Sequence, residues 1–321
     1  MKGDIPLFDL SGLGTEATAL GINVGASPFS GLAAAGLMGP GAHREDDPLD
    51  YMPMPREMTT FEIPLLPEVE ELAAHPEAGA LLDRLQALLD AFAAGELDAR
   101  PQAMDSQRLG LDGIDPGACA LLYQTLGEGE VALMIQGPDY QLRVQETVLA
   151  GVWWIQQADA AGQLQQQWLE VGAIPQAANE LAFAAVDERS FEIGEPPAGL
   201  LNGASVMVEL LDQARRHHAV TLSEPYVVNL SLLPFSVEDH QWLGQRLGYG
   251  RVVILSRGYG NCRISSTTVA GIWRVQYFNS TDQLILDTLE VVQIPQVACA
   301  AREDLEDSAA RLREIHAALQ A

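Results

Sequence analysis

The chain writes nearly the same eight residues twice. LEVGAIPQ runs from Leu169 to Gln176 and LEVVQIPQ from Leu289 to Gln296, 120 positions apart. The likeness extends backward: Ala150-Gly151-Val152-Trp153 matches Ala270-Gly271-Ile272-Trp273 at the same offset. Leu126-Gly127-Glu128-Gly129-Glu130-Val131 matches Leu247-Gly248-Tyr249-Gly250-Arg251-Val252 at 121. Periods of about 20 to 50 residues would mean a solenoid. A unit of roughly 100 residues is a small domain in its own right, so the expectation is a tandem pair.

The 321 residues suit two domains of that size, and 48% hydrophobic residues suffice for their cores. Net charge is -26, with Lys2 the only lysine beside seventeen arginines. That balance argues against a nucleic-acid backbone or an anionic membrane surface as partner. No apolar run reaches membrane-span length, and Asp4 and Asp9 interrupt the start where a secretory signal carries its apolar core, so a cytoplasmic protein without membrane insertion is expected.

Residues 1–67 are rich in Gly and Pro without a sustained period and read as a flexible arm. The first repeat unit is assigned to 68–187 and the second, with a C-terminal helix, to 188–321. Leu81, Leu82, Leu85, Leu88, Leu89 and Phe92 make one helical stripe within Gly79 to Phe92, and Gly203 to Ala214 is its counterpart. A second helix starts at Asp115-Pro116 and stops at Gly127; in the other copy Ser236 and Asp239 form a capping box and Gly248 stops the helix.

Strand patterns follow each Gly-x-Gly: Val252 to Leu255, a long run Thr267 to Phe278, and Leu284 to Val292 after the Asn279 to Asp282 turn. Alternation sets Trp273, Val275 and Tyr277 on one face and Ile272, Arg274, Gln276 and Phe278 on the other. Trp153 and Trp273 read as matched core residues, and the Ile-Pro of each opening octet as a strand terminator. The expected class is α+β: two units, each an antiparallel meander with one or two helices, in a pseudo-two-fold pair.

No catalytic constellation emerges. His217 and His218 are neighbours near a helix end and point apart. Cys119, Cys262 and Cys299 are scattered, with Cys262, in the glycine turn GYGNC, reading as the exposed one. No cofactor or metal is expected. A thiol-dependent enzyme or iron-sulfur carrier using these cysteines, and a general interaction scaffold, stay open as alternatives.

Together PMPREMTTFEIPLLPE, LGEGEV at Leu126, TVLAGVWW at Thr147, TTVAGIWR and LEVVQIPQ resemble the hydrogenase expression/formation proteins of the HupH type, also called HyaF or HoxQ. The resemblance covers most of Tyr51 to Ala300 and implies a non-catalytic accessory protein. Its implied partners are the iron-sulfur small-subunit precursor of an uptake nickel-iron hydrogenase and other hydrogenase accessory proteins.

Binding must then use surface features. Residues 105–180 carry ten acidic and two basic side chains, whereas 226–300 carry five of each. Candidate contacts are an exposed aromatic at Trp154, the acids Glu128, Glu130 and Asp139, and Tyr51, Met54, Arg56 and Phe61 in the arm. At matched positions Glu130 faces Arg251, and the two are expected to meet across the pair axis.

Overall fold

The computed structural model describes residues 67–98, 107–184, 191–192, 195–219, 224–257 and 261–319. The arm, with Tyr51, Met54, Arg56 and Phe61, lies outside the described residues. The elements in chain order are α1 (Val69–Ala74), α2 (Pro76–Ala94), β1 (Gln107–Gly110), α3 (Pro116–Leu126), β2 (Val131–Gln136), β3 (Tyr140–Glu146), β4 (Val152–Asp159), β5 (Leu164–Val171) and α4 (Gln176–Leu181). They continue as α5 (Gly203–Ala219), β6 (Tyr226–Asn229), α6 (Val237–Leu247), β7 (Val252–Ser256), β8 (Asn261–Ser266), β9 (Ile272–Phe278), β10 (Leu284–Val291) and α7 (Arg302–Leu319).

The ten strands form one antiparallel sheet, and its order reads alike from both edges: β1-β5-β4-β3-β2, then β7-β8-β9-β10-β6. The halves join through β2 and β7, where Leu133 pairs with Ile254. Local signals place the ends of the helices. Asp115 accepts from the Gly117 and Ala118 amides. Ser236 and Asp239 form the reciprocal cap of α6.

Alternation gives the sheet two different faces. On the back face one row crosses eight strands, apolar through Trp168, Ile155, Val144, Leu133, Ile254, Ile264 and Val275 and ending at the polar Thr288. Trp153 and Trp273 lie in this same core, fully buried, and their indole N–H groups donate to the carbonyls of Gly172 and Gln293. On the front face there are two separate cores. Under α2, α3 and α7 lie Trp154, Leu169 and Val171; under α5 and α6 lie Ile272, Leu289 and Val291. α7, last in the sequence, packs Leu305, Ala309 and Leu312 into the core of the first half.

Two expectations are corrected here. The run Thr267 to Phe278 is not one strand: Thr267 Oγ1 accepts from the Val269 amide and Gly271 adopts φ 77°, so 267–271 is a turn between β8 and β9. Cys262 is not in the exposed turn but on β8, at 4% exposure in the back-face core.

Each Gly-x-Gly matters through its second glycine. The Gly129 amide donates to Glu146 O at 2.7 Å and the Gly250 amide to Ser266 O at 2.7 Å. A Cβ on Gly129 would collide with the Thr147 carbonyl, and one on Gly250 with Ser266 Oγ. Gly129→Ala should cost about 3 kcal/mol in urea unfolding, since backbone must shift to admit the methyl. Gly110→Ala, where nothing stands within 4 Å, is the control and should stay within about 0.5 kcal/mol of the parent.

Candidate functional site

Three acidic residues of the first half, Glu128, Glu130 and Glu146, lie at one end of the sheet. α3 stops at Gly127, and the next three residues cross to β2 pinned by the Gly129 amide, which leaves Glu128 and Glu130 exposed. Glu128 accepts from the Tyr123 hydroxyl. Burial, reinforced by that carboxylate, pushes the Tyr123 phenol above its usual range.

Beside them Glu146 ends β3 at 8% exposure and accepts from the Gly151 amide at 3.1 Å. Burial raises its carboxyl to about 7; the Gly151 bond opposes this, while Asp304 and Glu130 push the same way. Asp304 comes from the first turn of α7, where it accepts from the Ala301 amide. Four acids from three segments of chain thus share this end.

The structure does not bring Asp139 into the group. It is exposed in the turn beyond Gln136, so the whole of β2, about 20 Å for six residues, separates it from Glu130. Another of the ten acids, Glu170, is fully buried and accepts from Arg108, the Trp168 indole and the Gln176 amide. The surface of the first half is less acidic than its composition.

Trp154 is not an exposed aromatic. It is 1% exposed, on the front face under α3, with its ring edge-on to Tyr123 at 5.5 Å. Adjacent tryptophans on a strand must face opposite sides, and helices cover both faces here. The pairing of Glu130 with Arg251 also fails. Glu130 O accepts from the Arg257 amide, and Arg251 O from the Gln136 amide, so the two lie at opposite ends of the β2-β7 ladder, about 20 Å apart. Equivalent positions on antiparallel partners coincide only at the centre, here Leu133 and Ile254.

The thiols are poorly placed for chemistry. Cys119 packs on the front face and Cys262 on the back, so they cannot converge. Burial raises the Cys119 thiol, and raises Cys262 to about 11 and Cys299 to about 12, away from the thiolate needed by a nucleophile or ligand. Among the described residues no three His, Cys, Asp or Glu side chains could hold a metal ion. Nor is any helix there long and apolar enough to cross a membrane.

Sequence reading missed the ion pair of the second half. Arg274, where the first half has Trp154, binds Asp287 through Nε at 2.9 Å and Nη2 at 2.5 Å, both residues buried. The available signal was an arginine and an aspartate on the same-facing positions of neighbouring strands: Arg274 pairs with Leu289, two residues from Asp287.

The model of the HupH hydrogenase expression protein C-terminal conserved region matches residues 77–185 and 200–319. The chain is 55% identical over 283 residues to the hydrogenase expression/formation protein HupQ of Azotobacter chroococcum mcd 1, covering 88% of this chain and 96% of that one. It is 30% identical over 280 residues to the hydrogenase-1 operon protein HyaF of Escherichia coli K12, covering 87% and 94%. A solved HupH from Thiobacillus denitrificans ATCC 25259 matches at 23% identity and TM-score 0.34 over 36% of this chain and 96% of that one, too loosely to carry an argument.

Proposed function

The chain belongs to the family of HupH hydrogenase expression/formation proteins, and from that premise we propose that it is a non-catalytic accessory protein acting in the cytoplasm on the iron-sulfur small subunit of an uptake nickel-iron hydrogenase before export. The supporting observation is the acidic end formed by Glu128, Glu130, Glu146 and Asp304. An unexported precursor with a positively charged signal is attracted by such a surface in a salt-sensitive way. Buried thiols on opposite sides of the sheet speak against an iron-sulfur carrier built on the cysteines.

Residues 68–187 and 188–321 are, in this reading, two copies of one unit about a pseudo-two-fold axis at Leu133 and Ile254, with α7 crossing back onto the first. The mirrored strand order and the self-matched central pair support it. The copies differ where a client would read them: Glu128 and Glu130 correspond to Tyr249 and Arg251.

Co-purification of the small-subunit precursor with the full chain tests the acidic end. Glu128→Gln with Glu130→Gln should weaken capture about tenfold, the equivalent of roughly 1.4 kcal/mol. Asp139→Asn, at the far end of β2, should leave it unchanged. Capture indifferent to the double change and to raised salt would sink the electrostatic reading.

A further inference from the structure

The front face has a floor that no helix of the described residues fills. The helix layer of the first half rests on β1, β4 and β5, and that of the second on β6, β9 and β10. Between them the front sides of β3, β2, β7 and β8 present two cross-strand rows. One is Arg143, Met134, Val253 and Ser265; the other is Gln145, Ala132, Leu255 and Arg263. None of these eight side chains belongs to the core under either helix layer. Ala132, Met134, Val253 and Leu255, the middle of the trough, are all partly exposed. At strand spacing the trough is about 14 Å from β3 to β8, wide enough for one polypeptide segment.

Its charge opposes that of the whole chain. Arg143 and Arg263 occupy matched positions, 120 residues apart, at diagonal corners of the apolar floor. Arg251 and Arg257 extend the column of Val253 and Leu255 along β7 at its two ends. Among the described residues none of these four guanidinium groups has an ion-pair or hydrogen-bond partner. Arg143 Nε is buried without one. Arg263 meets the Phe278 ring at 5.6 Å, with Tyr249 and Arg274 in electrostatic reach, and burial lowers its pKa. Partly buried cations without counter-ions are costly to hold. Arg274, by contrast, has Asp287.

We propose that this trough binds an acidic segment of a partner polypeptide, its apolar side chains on the Ala132, Met134, Val253 and Leu255 floor and its carboxylates on Arg143 and Arg263. A guanidinium pairs with a carboxylate in bidentate fashion. The apolar floor selects a peptide, which has apolar side chains to bury there, over a polyphosphate, which has none. The trough goes beyond the acidic end proposed above; only Arg257, opposite Glu130 in the β2-β7 ladder, borders it, so the Arg143 and Arg263 pair tests the trough apart from that end.

The probe is a fluorescein-labelled twelve-residue Glu/Leu peptide, titrated with the full chain by anisotropy against a Gln/Leu peptide of the same pattern and a twelve-residue oligothymidylate. The Glu/Leu peptide should bind at least tenfold tighter than either. Arg143→Gln with Arg263→Gln should remove at least tenfold of that affinity without lowering the melting temperature, because it removes unpaired cations. Arg251→Gln with Arg257→Gln, at the ends, should weaken binding severalfold and covers the case in which the first pair fails to fold. Arg216→Gln, paired with Asp212 on α5, should change nothing. Equal binding of the Glu and Gln peptides, preference for the oligonucleotide, or indifference to both arginine pairs overturns the proposal.

Discussion

Asp287→Ala should unfold in urea with a free energy about 3–5 kcal/mol below that of the parent chain. Arg274 is 9% exposed and Asp287 3%, so solvent screens the pair little. Burial alone would lower the Arg274 pKa, yet the Asp287 bonds hold the guanidinium above its ordinary value. Deleting the carboxylate strands that charge among Gln276, His240 and the α6 layer. The double change Arg274→Met with Asp287→Leu should recover at least half of the loss, because an apolar pair of similar volume escapes desolvation. The first half manages without the charges, with Trp154 and Gln167 at the matched positions. A loss under 1 kcal/mol for Asp287→Ala would mean that water reaches Arg274 and that the pair contributes no more than a surface bridge.

That pair also marks how far the sequence could be read. Helix ends were legible because a cap is local: Asp115-Pro116, Ser236 with Asp239, and the stops at Gly127 and Gly248 all act within a few residues. Strand faces were legible for Trp273, Val275 and Tyr277, where alternation is strict. Strand β8 was not, since Asn261-Cys262-Arg263 lacks β-branched residues and its pairing is supplied by β7 and β9. Trp154 was misplaced because its burial depends on α3, and the return of α7 to the first half leaves no trace in a local pattern. Of the candidate site, Glu128 and Glu130 were visible. Glu146 and Asp304 were not, because they join the group only through the β3-β4 turn and the distant α7.

Glu146 couples that site to stability. Its folded pKa is about 7 against an ordinary 4.5, with burial the main cause. Between these values the native chain binds a proton that the unfolded chain has released. Its contribution is therefore complete below about pH 4.5 and is lost as pH rises through 7, by at most about 3 kcal/mol for 2.5 pH units. Glu146→Gln keeps an acceptor for the Gly151 amide and cannot ionise. Subtracting its unfolding free energy from the parent's at each pH cancels other carboxyls, and the difference should shift toward the variant by about 2–3 kcal/mol between pH 5 and 8. Glu130→Gln removes one of the charges raising Glu146, so it should move the midpoint of that difference downward. A cationic segment docked at Glu128 and Glu130 should act in the same direction, favouring ionised Glu146 and releasing protons on binding near pH 7. Parent and Glu146→Gln curves that stay parallel from pH 5 to 8 would show that Glu146 is ionised throughout and takes no part in this coupling.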